Sequence, residues 1–293
     1  MGIIVESLGD YINGEFIRSG GEEFSSFNPA KSGVKVAQMF EQSGSVDRAV
    51  SAARSALKTW RRGGLERRIE ALRAVADLVP QHQERIAEAI SLEMGKPISE
   101  ARIEAGSIKS KIEGVINQLP STLPAAPSGA PGEQRFHSLG VIGVIGPFNF
   151  PIHLLNTHII PALLTGNTVI AKPSEVTPLC GQRYAELFHA ARFPEGVLNI
   201  IQGRGVIGAE LSAHQDVNGV IFTGSYETGR KIRQATFDQP HKKVCLELGG
   251  KNPAVILDDA DLEQATREIL LGALLTSGQR DRKSTRLNSS HSS

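Results

Sequence analysis

Apolar residues recur along this chain with two periods, and the places where one gives way to the other mark out its elements. In Tyr11-Ile12-Asn13-Gly14-Glu15-Phe16-Ile17 an Asn-Gly pair, suited to a type I′ turn, divides two apolar alternations and predicts a hairpin among short amino-terminal strands. From Ser45 to Gln118 the period becomes helical. Val46, Ala49, Val50, Ala53 and Leu57 share a face behind a Ser45 cap, and similar stripes run from Ile69 to Val79 and from Ile86 to Leu92. Pro80 and Gly95-Lys96-Pro97 are expected to punctuate these helices. Beyond Gly140, short apolar runs at Val141–Ile145, Thr168–Ala171, Leu198–Ile201, Val220–Phe222, Val244–Leu248 and Ala254–Leu257 alternate with helical stretches, the last from Leu262 to Ser277. Parallel strands with crossover helices account for that alternation, so the predicted class is α/β.

Two stretches fall outside the pattern. Pro120 to Gly132 is rich in Pro, Ala and Gly, cannot continue a helix and reads as a linker or arm, placed at about 120–139. In 281–293, Leu287 is the one large apolar residue among Arg, Lys, Ser, Thr and Asn, so this tail is expected to be disordered.

Composition narrows the function classes. The chain has 293 residues, 40% of them hydrophobic, and a formal net charge of +1 with basic and acidic residues interspersed. A core of substantial size is expected, and the electrostatic footprint of a nucleic-acid binder is missing. Met1-Gly2-Ile3-Ile4-Val5 runs into Glu6 and Asp10 without a basic leader, which argues against a signal peptide. The most apolar run, Ile159 to Ala171, is interrupted by Pro161, Thr165, Gly166 and Asn167, so no membrane span is expected. Two cysteines, Cys180 and Cys245, fit a reducing cytoplasm.

Several segments carry candidate chemistry. Gly203-Arg204-Gly205-Val206-Ile207-Gly208 follows a predicted strand and opens a predicted helix, the context of a dinucleotide fingerprint, although simple loop chemistry explains it equally. Phe222-Thr223-Gly224-Ser225-Tyr226-Glu227-Thr228-Gly229 also ends a strand and begins a helix; Ser225 there is either an ordinary cap or part of an anion site. Lys172 and Glu175 lie just past a strand, where they either hold ribose hydroxyls or form a solvated pair. Glu247, at the end of an apolar strand, is a general base if burial raises its pKa, or a structural carboxylate paired with a base. Asn149, between Pro147 and Pro151 and flanked by Phe148 and Phe150, is a rigidly mounted oxyanion donor or a turn residue.

Taken in order, Gly146-Pro147-Phe148-Asn149-Phe150-Pro151, Pro161-Ala162-Leu163 with Gly166-Asn167-Thr168, Lys172-Pro173-Ser174-Glu175, Phe222-Thr223-Gly224-Ser225 and Glu247-Leu248-Gly249-Gly250-Lys251-Asn252-Pro253 resemble the motif series of the aldehyde dehydrogenase superfamily, from about Tyr11 to Arg280. The resemblance implies an open, mostly parallel sheet with helices on both faces, forming an NAD-binding domain over 1–249, and the beginning of a catalytic domain over 250–280. It implies that Asn149 is the oxyanion donor and Glu247 the base for deacylation. Lys172 and Glu175 become ligands of the adenosine ribose, and Gly224, Ser225, Gly229 and Leu248 belong to the cofactor site. A carboxylate at Glu175 would repel a 2′-phosphate, which points to NAD.

Pro151-Ile152-His153-Leu154-Leu155-Asn156-Thr157-His158-Ile159, with Gly278-Gln279-Arg280, resembles the branch of that family acting on N-succinyl-L-glutamate 5-semialdehyde in arginine breakdown. The implied partner is a small-molecule aldehyde, and the intact form is expected to be a homo-oligomer. In the family the Gly-Gln-Arg run precedes the nucleophilic cysteine, whereas here Asp281 follows. A carboxylate cannot form the thiohemiacetal. Cys245, within an apolar strand, is expected to be an inert core thiol. The expectation is therefore an inactive amino-terminal portion of such an enzyme. The alternatives are a non-catalytic dinucleotide-binding pseudoenzyme or a dehydrogenase of another semialdehyde.

Overall fold

A computed structural model describes residues 5–18, 20–123, 136–250 and 253–279. The amino-terminal strands are β1 (Val5–Glu6), β2 (Asp10–Ile12), β3 (Glu15–Ile17), β4 (Glu22–Phe27) and β5 (Lys35–Glu41). The predicted hairpin is β2–β3. Asn13 and Gly14 both take positive φ, 54° and 84°, as a type I′ turn requires. Three helices follow, α1 (Ser45–Arg62), α2 (Gly64–Met94) and α3 (Ile98–Thr122). The chain then alternates: β6 (Val141–Ile145), α4 (His153–Leu164), β7 (Thr168–Lys172), α5 (Pro178–Ala190), β8 (Leu198–Ile200), α6 (Gly205–Ala213), β9 (Gly219–Gly224), α7 (Tyr226–Ala235), β10 (Lys243–Leu248) and α8 (Leu262–Leu274).

Seven strands form one sheet in the order β10-β9-β6-β7-β8-β2-β3, parallel from β10 to β8 and antiparallel in the hairpin edge; β1, β5 and β4 form a second, small sheet. The class is α/β, as expected. Strand periodicity distributes side chains to two cores. Ile142, Val144, Val169, Ala171, Leu198 and Ile200 face the side packed by α2 to α5. Val141, Ile145, Ile170, Val220 and Phe222 face the side that receives Val46, Ala49, Val50 and Ala53 of α1, with Leu211 of α6 and Ile232 of α7.

The structure corrects several local expectations. Ser45 is the first residue of α1 rather than its cap. Gly44 precedes the helix, and the Ser45 hydroxyl instead donates to Asp10 Oδ2. Pro80 does not interrupt α2, and Pro120 lies inside α3, whose buried faces hold both helices together across a long mutual contact that outweighs a lost main-chain bond. Ala254–Leu257 forms no strand; Val255, Ile256 and Leu257 are exposed and pair with nothing that would make a ladder. The last helix stops at Leu274, where Leu275 leaves helical geometry and a short 3-10 turn runs to Gly278. Most of the arm at 120–139 and all of 281–293 lie outside the described residues.

Candidate active site

The chain winds β6, β7 and β8 in one direction across the sheet, then returns to place β9 and β10 on the other side of β6. Open α/β sheets take ligands outside the carboxyl ends of the strands at such a reversal. All the candidate site residues but Gly229, which lies within α7, are found along that edge. Asn149 is in the loop after β6, Lys172 ends β7 with Glu175 three residues on, Gly224 ends β9 with Ser225 next, and Glu247 and Leu248 end β10. The register aligns these ends, pairing Ile145 with Lys172 and with Phe222, and Gly224 with Leu248.

Lys172 is buried rather than a solvated surface residue. Its Nζ donates to Pro173 O and to Glu175 Oε2, both at 3.0 Å. Burial lowers the Lys172 pKa, opposed by the charges of Glu175 and Glu41. Burial resists charge on Glu175, but the Lys172 ammonium prevails and holds this carboxyl below its ordinary range. An ammonium with a third donor beside an exposed carboxylate acceptor is the donor set a ribose diol requires. Ser225 caps α7, its Oγ accepting from Thr228 N at 3.2 Å, so the amides of the first turn face the reversal. Gly229 permits close packing there, since a Cβ would stand 2.7 Å from Leu248 Cδ2; one on Gly224 would meet the Phe222 ring at 2.5 Å. These features fit a nucleotide lying along the edge.

The Asn149 loop rests on a feature that sequence reading registered only as punctuation. Lys96, fully buried, forms an ion pair with buried Glu104 at 2.5 Å, donates to Asn149 O at 3.3 Å and lies 4.0 Å from the Phe150 ring centroid. Glu104 Oε1 accepts from the amides of Ile152 and His153, both at 3.1 Å. The Asn149 side chain donates through Nδ2 to Gln279 O at 2.7 Å, which docks the segment ending at Gln279 against the loop.

Two expectations at β10 are corrected. Glu247 and Cys245 are both exposed, because β10 is the outer strand and, while Val244, Leu246 and Leu248 pack against the core, the alternate residues Lys243, Cys245 and Glu247 point the other way. The burial expected for Glu247 and the core setting expected for Cys245 are therefore missing. Glu247 is cross-strand neighbour to Thr223, whose Oγ1 lies 3.2 Å from His158 Nε2. Burial lowers the His158 pKa, while Glu247 pulls it up and Lys111 pushes it down.

This chain belongs to the aldehyde dehydrogenase family, which it matches over residues 16–290. Among curated proteins it is similar to N-succinylglutamate 5-semialdehyde dehydrogenase 1 of Caulobacter vibrioides, 46% identical over 242 residues that cover 80% of this chain and 51% of that protein. The solved aldehyde dehydrogenase of Bartonella henselae superposes with a TM-score of 0.90 at 31% identity, covering 97% of this chain and 60% of that one. An NAD+ complex of an aldehyde dehydrogenase from Bacillus cereus gives 0.87 at 35% identity, covering 94% and 57%. The chain spans about half the length of the curated relatives it matches. Among the described residues no helix is long and apolar enough to cross a membrane.

Proposed function

We propose that this chain supplies the dinucleotide-binding part of an NAD-dependent dehydrogenase that oxidises N-succinyl-L-glutamate 5-semialdehyde to the carboxylate. The observation that carries the reading is the convergence of Asn149, Lys172–Glu175, Gly224–Ser225 and Glu247–Leu248 on one carboxyl edge. The name of the Caulobacter relative supports the substrate. Residues 1–249 are the cofactor domain in this reading, and 250–280 begin the catalytic one.

A bound NAD would supply the hydride acceptor. Lys172 and Glu175 would grip the adenosine ribose, and Ser225 with the amides opening α7 would hold the pyrophosphate, with Gly224, Gly229 and Leu248 belonging to the same cofactor site. Asn149 Nδ2 donates to the oxygen on which negative charge develops. Glu247 takes the proton of the water that releases the acid, with His158 close enough to share that charge. The nucleophile is the missing part, because Asp281 stands where the family resemblance expects a thiol.

Calorimetry with NAD+ tests the cofactor site, and NADH formation from the semialdehyde tests the chemistry. We expect NAD+ binding that Lys172→Ala abolishes. We expect no turnover by this chain or by Asp281→Cys, whose thiol would lack the fixed geometry that makes attack effectively unimolecular. Multiple turnovers by either form refute the role given to position 281. Asp281 also favours a second reading, a dinucleotide-binding protein without catalysis. Sequencing the gene across codon 281 decides: a cysteine-bearing continuation supports the dehydrogenase, and the same Asp there supports the second reading.

A further inference from the structure

The glycine run Gly203 to Gly208 matched a dinucleotide fingerprint but yielded the pyrophosphate to α7 in the reading above. In the fold it opens α6 directly beside Lys172, since a Cβ on Gly208 would stand 3.5 Å from Lys172 Cδ. Its Arg204 is held by carboxylates from the small sheet. The Arg204 amide donates to Glu41 Oε2 at 2.7 Å, Nε donates to Glu41 Oε1 at 3.0 Å, and Nη2 reaches both Glu41 and, at 2.5 Å, Glu22 Oε1. Glu41 is buried at the end of β5, whereas Glu22 opens β4 in solvent. Hydrogen bonding from Arg204 holds the Glu41 carboxyl below its ordinary range, and Glu41 acts electrostatically on both Lys172 and Glu175. Arg204, Glu41, Glu175 and Lys172 therefore make one charge cluster at the ribose end of the edge.

We propose that Glu22 and Glu41 are cofactor-selectivity residues, which hold Arg204 in a closed ion-pair cluster and so keep its guanidinium from a 2′-phosphate. The proposal rests on the reading of Lys172 and Glu175 as ribose ligands. In dinucleotide folds an acidic residue marks the site for a free 2′-hydroxyl, and an arginine accommodates the 2′-phosphate. This chain has both beside its ribose ligands. The carboxylates prevail because Glu41 binds main chain and side chain of Arg204 together, and Glu22 takes the outer nitrogen. Removing the carboxylates frees a planar donor fork of the shape that grips phosphate.

Calorimetry of the whole chain with NAD+ and with NADP+ tests this, using Glu22→Gln, Glu41→Gln, the two together, and the pair combined with Arg204→Gln. In the double variant NADP+ affinity should rise about tenfold, with NAD+ changed by about twofold or less, and Arg204→Gln should remove the gain. An unchanged NADP+/NAD+ ratio in the double variant, or a gain that survives Arg204→Gln, overturns the proposal. If Glu41→Gln fails to fold, exposed Glu22→Gln must alone shift the ratio the same way, and no shift overturns it. Failure of both cofactors to bind, or NAD+ binding indifferent to Lys172→Ala, overturns the ribose reading itself and the proposal with it. The two failures are distinguishable because the first leaves NAD+ binding dependent on Lys172.

Discussion

Helices α4 and α8 are of similar length and both carry regular leucine and isoleucine patterns, yet their surroundings are opposite. In α4, Leu155, Ile159, Ile160, Leu163 and Leu164 are buried, wedged between the sheet and α3. In α8 no residue is buried, and Leu262, Leu270, Leu271 and Leu274 are 45–69% exposed. The same division separates Cys180, on the buried face of α5, from Cys245 on the outer strand. Apolar periodicity specifies an element and the face it will turn inward; whether anything lies against that face is a property of the rest of the molecule.

The largest test of this contrast is chemical. Cys180 is fully buried, its thiol pushed well up by burial and by the Glu93 carboxylate, so it reacts only through opening of the fold. Cys245 should be alkylated at least about a thousandfold faster under native conditions, given opening free energies of several kcal/mol. Cys245→Ser should abolish the fast phase, and comparable rates for the two thiols would erase the distinction between the regions.

Substitutions extend the comparison to stability. Leu155→Ala removes a buried side chain lying against Gly146 and should cost about 2–5 kcal/mol in urea unfolding. Leu274→Ala should change stability by less than about 0.5 kcal/mol. Equal losses would mean that α8 is packed against something after all.

A pH signature belongs to the packed region. Glu93 accepts from the amides of Leu179 and Cys180, both at 2.9 Å, at the start of α5. Burial, only partly opposed by these amides, pushes its carboxyl from 4.5 up to about 7. Between those values the folded chain holds a proton that the unfolded chain has released, so the Glu93 contribution falls as pH rises through this window. The loss is on the order of 3 kcal/mol, at about 1.4 kcal/mol per pH unit. The unfolding free energy of the wild type relative to Glu93→Gln should therefore rise from pH 7 down to pH 5; a pH-independent difference would remove Glu93 as the cause. The smallest contrast concerns caps. Ser225→Ala should cost about 1 kcal/mol globally, whereas Asp261→Ala, at the start of exposed α8, should reduce helicity locally without moving the urea midpoint.

The elements most legible in the sequence are those whose cause is local. Asn13-Gly14 dictates its turn, and the apolar runs of β6, β7, β9 and β10 dictate strands, because alternation and turn chemistry act within a few residues. Continuation through Pro80 and Pro120 was hidden, since the packing that overrides a proline comes from a helix elsewhere in the chain. The site divides the same way. Asn149, Lys172, Glu175, Ser225 and Glu247 are recognisable from flanking motifs, and topology gathers them. Glu104, Glu41 and Glu22 could not be found so, because each acts on a partner 48, 163 or 182 positions away, across elements whose adjacency no local pattern encodes. Lys96 did leave a trace: a lysine held between Gly95 and Pro97 is a charge at a helix break, and such a charge invites the question of what it faces.

The amino-terminal hairpin has a consequence for the order of events in time. β2 joins the sheet through Tyr11 opposite Ile200, Asp10 accepts from the Gln202 amide at 2.7 Å, and the Leu8 amide donates to Gln182. Its docking surface is thus synthesised some 190 residues after it. During translation the hairpin must wait, undocked, until β8 has emerged, and in refolding it closes a loop of some 190 residues. The hairpin is therefore expected to lock last, a slow final step that completes one edge of a sheet already assembled at its centre.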